Sequence, residues 1–272
     1  MKNTGTPISP PERFPIGIIG GTGGMGRWFA AFFEKEGHPV IVSGKGTGPR
    51  PDEMAASCPV VIVSVPIGVT VEVIRQVGPH MKRESLLMDL TSLKAGPVRA
   101  MLESSASEVI GLHPLFGPSA PSLEGQNIAI CPARGVNWLP WVRDVFGRKG
   151  AKLVDTTPER HDEVMAVVQV LNHLNTLVLG LVIREAGIPR EELGRFSTPL
   201  FRARLEAVEN LFSHPRLYAE LVAGNPGSPG IAELLAKALA EVKSIVGNRD
   251  AVALERRIRL ATGGNKDNPQ FS

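Results

Sequence analysis

Ile16-Gly17-Ile18-Ile19-Gly20-Gly21-Thr22-Gly23-Gly24-Met25-Gly26 is the stretch from which the rest of the chain is read. A short β-like run meets a cluster of glycines, and a helical pattern follows at once. Trp28, Phe29, Phe32 and Phe33 fall on one helical face, with Gly37 as a stop. Gly21, Gly23 and Gly26 satisfy the G-x-G-x-x-G spacing. In a strand-to-helix turn, Gly21 permits the tight turn, Gly23 lets backbone approach a pyrophosphate, and Gly26 lets the helix close on the strand. The helix start, with Thr22, Gly24 and Met25 in the same turn, offers free N–H groups and a positive dipole end to an anion. The spacing alone is a weak signal. Its place between a first strand and a first helix makes it a dinucleotide-binding fingerprint.

The next apolar run, Val40-Ile41-Val42, ends in Ser43-Gly44-Lys45. A site built for NAD usually carries Asp or Glu here, about 20 residues beyond the glycines, to hold the ribose 2′-hydroxyl. None is present. Ser43 as hydrogen-bond partner, with Lys45 and Arg50 as neutralising cations, suits a 2′-phosphate and favours NADP over NAD. The competing reading makes Lys45 a solvated loop charge.

Further strand-like runs follow at Val60 to Val65, Leu86-Leu87-Met88, Val109 to Leu112, Asn127 to Cys131 and Lys152 to Val154, alternating with helical stretches. That alternation predicts an α/β fold of Rossmann type, a doubly wound parallel sheet with helical crossovers. The character changes near Asp155. Thr156-Thr157-Pro158-Glu159 offers a helix start, and an apolar helix runs to about Glu185. Further helices are expected at 201–212, 217–222, 231–246 and 250–259. The expected division is a dinucleotide-binding domain over 1–155 and an all-helical substrate and dimerisation domain over 156–272. A helix as apolar as 164–183 should be buried, and in so small a helical domain a second copy of the chain is the expected cover.

The 272 residues suffice for two such domains. Thirty Lys plus Arg against 27 Asp plus Glu leave a formal charge of +3, with no basic stripe for nucleic acid. Cys58 and Cys131 are isolated and read as small buried hydrophobes; no metal site is expected. The polar, Pro-rich segment Met1 to Pro15 lacks the apolar core of a signal peptide. No apolar run reaches the roughly 20 residues that span a bilayer. A soluble, cytoplasmic chain without a membrane partner is therefore expected, with a polar, loose tail from Gly263.

Ligands of open α/β sheets bind beyond the carboxyl ends of the strands. Three such ends carry chemistry. Val65-Pro66 opens a strand-to-helix turn that would border the nicotinamide. Asp89-Leu90-Thr91-Ser92-Leu93-Lys94 follows the fourth run, and His113-Pro114-Leu115-Phe116-Gly117-Pro118 follows the fifth. Histidine suits general acid–base work near neutral pH, and Ser92 stands at the neighbouring strand end.

These blocks resemble the prephenate/arogenate dehydrogenases of tyrosine biosynthesis, especially archaeal-type ones. Residues 18–30, 63–70, 88–94 and 111–118 match in order and spacing. The helical half continues the likeness through His161-Asp162, Gln169, His173 and Ser197-Thr198-Pro199-Leu200-Phe201-Arg202. The resemblance implies a monofunctional oxidoreductase that takes a hydride from a cyclohexadienol to the nicotinamide while CO2 departs and the ring aromatises. It implies His113 as the group that takes the hydroxyl proton, Ser92 as a partner of that hydroxyl or of His113, and Gln169 and His173 facing the cleft. His161 is read as a structural or surface residue. A dianionic substrate also needs a cation, ideally an Arg fork, for its ring carboxylate. Where some relatives carry that Arg this chain has Asn210. Arg195, in Glu192-Leu193-Gly194-Arg195, is the first choice, with Arg202 and Arg204 as alternatives. Two other classes compete: another two-domain NADP oxidoreductase, similar to deazaflavin reductases or β-hydroxyacid dehydrogenases, and a non-catalytic NADP-binding sensor.

Overall fold

The computed structural model describes residues 12–261, so the polar segments at the two ends lie almost wholly outside the described residues. Seven strands form one sheet: β1 (Ile16–Ile19), β2 (Val40–Ser43), β3 (Val60–Val63), β4 (Leu86–Asp89), β5 (Glu108–Pro114), β6 (Asn127–Arg134) and β7 (Lys152–Asp155). Their spatial order is β2-β1-β3-β4-β5-β6-β7. β1 to β5 run parallel, as the alternation of runs predicts. β6 turns antiparallel to β5, and β7 follows β6 in parallel. The sheet is thus parallel as expected but for this one antiparallel pairing. Segment 115–126 holds no helix, and a parallel return needs a helical crossover, so β6 comes back alongside β5 instead.

Helices α1 (Gly24–Lys35), α2 (Pro51–Ser57), α3 (Ile67–Val77), α4 (Ala95–Ser104) and α5 (Leu139–Gly147) cover both faces of the sheet. Successive residues of a strand point to opposite faces, so β3 feeds two cores. Val60 and Ile62 pack with Phe29 and Phe33 of α1 and Phe146 of α5. Val61 and Val63 pack with Ile74 and Val77 of α3 and Met101 of α4. Each fully buried Phe or Ile contributes about 1.5–3 kcal/mol of apolar transfer. Cys58 and Cys131 are both buried and unpaired, and burial pushes the Cys131 thiol up to about 12.

Beyond Asp155 every described element is helical. Thr157 caps α6 (Pro158–Met165), its Oγ1 accepting the Arg160 N–H at 3.2 Å. A π turn, Ala166–Leu171, joins α6 to α7 (Asn172–Ala186), which ends at Gly187 with φ +68°. Then come α8 (Arg190–Phe196), α9 (Pro199–Ser213), α10 (Pro215–Gly224), α11 (Ser228–Gly247) and α12 (Ala251–Ala261). Neither the π turn nor the short, polar α8 is visible as an apolar period.

The continuous helix Pro158–Ala186 departs from the sequence reading in two ways. By length and composition it is apolar enough to cross a membrane, so the expectation that no run qualifies is corrected. It is also far from buried: Val164, Val167, Val168, Leu181 and Val182 are exposed in the single chain. α4, α9, α10 and α11 pack against parts of it and leave those five side chains exposed.

Candidate active site

The nucleotide cradle follows from close approaches that only glycine allows. Gly20 has φ +82°, and a Cβ there would stand 2.2 Å from the Ser64 carbonyl oxygen. A Cβ on Gly26 would lie 2.3 Å from the Gly20 oxygen, so the third glycine of the motif sets how closely α1 meets β1. The left-handed turn falls on Gly20, one residue before the glycine the motif assigns to it. Gly21 instead makes room for Val42 of β2. α1 begins at the N-cap Gly23 without a side-chain cap and without an acid in its first turn. Its first N–H groups and dipole therefore remain for an anion, as a pyrophosphate requires.

Beside this turn a cavity of about 390 Å³ is lined by Gly20, Ser43, Lys45, Thr47, Arg50 and Val65, among others, with no carboxylate in its wall. The cradle and cavity fit a dinucleotide, whose chemistry is to accept the hydride. Ser43 does not play the part the sequence suggests. It is buried, and its hydroxyl donates to the Pro49 carbonyl at 2.8 Å, closing the loop that follows β2. Lys45 has no ion pair among the described residues, Arg50 is held by Asp52 at 2.6 Å, and Thr47 adds a hydroxyl that the spacing rules did not single out.

At the ends of β4 and β5 lies a buried chain of titratable groups. His113 closes β5 and is 3% exposed. Its Nδ1 is 2.9 Å from Nε2 of His161, whose Nδ1 is 2.8 Å from Oδ1 of Asp162. The Asp162 carboxylate also accepts the backbone N–H groups of Lys94 and Ala95, both at 2.9 Å, at the start of α4. Burial alone would raise the Asp162 carboxyl. Hydrogen bonds from His161 and from those two backbone groups outweigh it and hold the carboxyl below its ordinary range.

An ionised Asp162 fixes the protons down the chain. Its oxygen accepts from His161 Nδ1–H, which leaves His161 Nε2 as an acceptor. His113 must then donate through Nδ1–H, and its Nε2 keeps a lone pair. Gln169, in the π turn, brings its Nε2 to 3.5 Å from that nitrogen, while its buried Oε1 has no partner among the described residues. Burial pushes His113 well below the ordinary histidine value, and the Lys94 ammonium and then His161 push the same way. The site thus presents a neutral imidazole with its lone pair on Nε2.

Lys94 is wholly buried. Its ammonium donates to Asp89 Oδ2 and, at 2.7 Å, to the Leu112 carbonyl, tying the ends of β4 and β5 together. Thr91 also donates to Asp89 through its N–H and hydroxyl, whereas Asp89 Oδ1 has no partner. The helical half also caps two helices that flank the sheet: Asp162 caps α4, and Glu220 of α10 accepts the Gly68 N–H at 3.1 Å, at the start of α3. Pro66 is the N-cap of α3, and Val65 before it borders the nucleotide cavity.

The remaining sequence candidates fall in different places. Ser92 lies in the loop after β4, half-buried, with no side-chain hydrogen bond to His113. His161, read from sequence as structural or surface, is buried between His113 and Asp162; its neighbours come from distant segments, so no local signal marks it. His173 does not join them. Its ring packs edge-on against Tyr218 at 4.8 Å, in an apolar cavity of about 580 Å³ between α7, α9, α10 and α11. Gln169 and His173, four apart in the helix, meet different neighbours: Gln169 turns to His113 and His173 to Tyr218. Arg195 is exposed on α8, 3.9 Å from Glu191; Arg202 is exposed on α9; and Arg204 lines a groove between α9 and α7. None of the three reaches His113 within the single chain. Asn210 donates to the Tyr218 hydroxyl at 2.7 Å.

Comparison with known proteins agrees with this layout. Residues 46–155 match the nucleotide-binding domain of prephenate dehydrogenase, and residues 157–260 match its dimerization domain. The chain belongs to the prephenate dehydrogenase family. A probable arogenate/prephenate dehydrogenase of Methanocaldococcus jannaschii is 35% identical over 270 residues, covering 92% of this chain and 59% of that one. The chain spans between 57% and 63% of the length of the first three curated relatives it matches. Among solved structures, Synechocystis arogenate dehydrogenase superposes with a TM-score of 0.70 at 17% identity, covering 92% of this chain and 98% of the other. Prephenate dehydrogenase from A. aeolicus, in complex with hydroxyphenyl propionate and NAD+, gives 0.67 at 19% identity, covering 91% and 96%. At such identities the prephenate dehydrogenase likeness in structure is one of fold.

Proposed function

We propose that this chain carries out the oxidative decarboxylation of prephenate with NADP as hydride acceptor. In this reading residues 1–155 hold the nucleotide, and residues 156–272 complete the substrate site and pair with a second copy of the chain. The observation that carries it is the lone pair on His113 Nε2, fixed by His161 and Asp162 on the same carboxyl-end side of the sheet as the nucleotide cradle. That nitrogen accepts the proton of the ring hydroxyl as the carbinol hydrogen leaves as hydride. Burial excludes water, so the neutral imidazole is kept for this one proton. Ser92, one residue beyond Thr91 on the neighbouring loop, is assigned to the same hydroxyl.

The NADP preference rests on the cavity beyond β2, where Lys45 and Arg50 stand and no carboxylate does. A 2′-phosphate gains cationic partners there, and the 2′-hydroxyl of NAD finds no acid to grip it. Pairing of two copies rests on the uncovered apolar side of Pro158–Ala186 together with the match to a dimerization domain. Arg195 is assigned to the ring carboxylate. It is flanked by Phe196 and Leu200, 83% and 68% exposed, on a surface that a second copy would cover.

The test is formation of reduced nicotinamide by the purified protein, with prephenate and arogenate each offered against NADP and NAD. Turnover with prephenate and NADP is expected. His113→Asn should cut it by about 10²–10⁴-fold while NADP binding persists. Turnover with arogenate alone would reassign the substrate, and undiminished activity of His113→Asn would remove that residue from the chemistry.

A further inference from the structure

The arrangement around His113 poses a question that the base assignment leaves open: where the proton goes next. His113 and His161 are 3% and 2% exposed, so neither ring hands a proton directly to solvent. The overall chemistry also needs no exit. The O–H bond of the carbinol breaks, the C–H pair leaves as hydride, and the C–C bond to the carboxylate breaks with release of CO2. Those bonding electrons enter the ring and end on the former carbinol oxygen as a phenolate. That oxygen must take back one proton, so donor and final acceptor are the same atom.

We propose that His161 is the storage point for this proton: His113 passes its Nδ1 proton to His161 Nε2 when Nε2 takes the substrate proton, and the same two transfers reverse to protonate the phenolate. This rests on the reading of His113 as the base. Geometry supports it at each link. The 2.9 Å separation of His113 Nδ1 and His161 Nε2 is that of a hydrogen bond, with the proton on His113 and the lone pair on His161. Once on His161, the charge stands against the Asp162 carboxylate at 2.8 Å. Left on His113, it would stand in a buried site facing the Lys94 ammonium, which already disfavours a charged His113.

Asp162 is held by the Lys94 and Ala95 N–H groups, so its oxygen does not swing away as the charge arrives. Its own carbonyl is gripped by Asn225 Nδ2 at 2.9 Å. Asp162 and His161 touch no reacting atom in this scheme. They act through His113 as positioning residues, with His161 also lending a proton site.

His161→Gln separates storage from support. A glutamine amide oxygen can accept the His113 Nδ1–H and keep the ring oriented, but it cannot take a proton. The assay is single-turnover reduction of the nicotinamide in H2O/D2O mixtures, using whichever of prephenate or arogenate is turned over. Storage predicts a curved dependence on deuterium fraction in the unaltered protein, from two protons in flight. It also predicts a loss of at least about 10²-fold in His161→Gln, in the range of general acid–base effects, with the curve becoming a straight line. A His161→Gln rate within about threefold of the parent, or a straight line for the parent itself, overturns it. Should His161→Gln not fold, the parent curve decides alone. His113→Asn run alongside separates the two ideas. Its full activity would sink the base reading, whereas loss there with a silent His161→Gln sinks only the storage.

Discussion

Replacing Lys94 by Met tests whether the buried ion pair at the strand ends supports both the fold and the base. The Lys94 side chain and its Asp89 partner are both wholly buried. Met fills much of the same volume but removes the charge and the donor to the Leu112 carbonyl. Asp89 would keep only its two Thr91 donors on Oδ2, and Oδ1 has none already. Breaking a buried pair by removing one partner costs about 3–5 kcal/mol, because the other charge is left uncompensated. At roughly 2–4 °C per kcal/mol for a chain of this size, the melting temperature should fall by about 6–20 °C in calorimetry. Removing both partners, in Asp89→Asn with Lys94→Met, should recover most of that loss.

The same substitution has a second reading through His113. The proposed reaction needs neutral His113, and burial and Lys94 both hold its proton affinity down, so the acid limb of kcat/KM in the parent is expected below the ordinary histidine range. Without the ammonium the limb should move to higher pH. The linked stability has the same sign. His113 binds its proton in the unfolded chain at about pH 6.5 but resists it when folded, so its contribution is present above that pH and is lost as pH falls. A Lys94→Met stability within about 1 kcal/mol of the parent, with an unmoved acid limb, would refute the assigned role of the pair.

Other substitutions probe the remaining parts of the site. Gly26→Ala places a Cβ 2.3 Å from the Gly20 backbone oxygen, and should weaken nucleotide binding by at least about tenfold in a fluorescence titration, or 1.4 kcal/mol; unchanged affinity would mean the turn can yield. Lys45→Asp should move the kcat/KM ratio from NADP toward NAD by about tenfold or more, and no movement would leave Lys45 a solvated loop charge. Arg195→Gln should raise the substrate KM far more than Arg202→Gln, and the reverse order would reassign the carboxylate grip. Sedimentation should show a species of twice the chain mass that dissociates when Val168 and Val182 are both changed to Glu; a monomeric parent would leave the apolar side of the long helix unexplained.

The strands and the glycine turn were legible because their causes are local. β-branched runs, a stop at Gly37 and glycine spacing all act within a few residues, and the Thr157-Pro158 helix start acts through the hydrogen bond its residue types predict. His113 was legible for a related reason: it closes a strand whose end, by the rules of open sheets, faces the ligand. The antiparallel return of β6 was not, since it depends on what segment 115–126 lacks.

What the sequence determined by itself was the α/β half, the helical half beyond Asp155, the nucleotide cradle and a histidine near the carboxyl end of β5. Only the tertiary structure decided which groups surround that base. His161 and Asp162 sit 48 and 49 residues beyond His113, and Lys94 comes from another strand end; their meeting is a product of sheet order and of α6 docking on α4. Packing likewise turned His173 toward Tyr218 while Gln169 faces His113, and loop closure turned Ser43 inward to Pro49. Residue type and spacing specify the chemistry a segment offers, but the direction of a side chain is set by the packing of segments far apart in sequence, where short-range patterns carry no information.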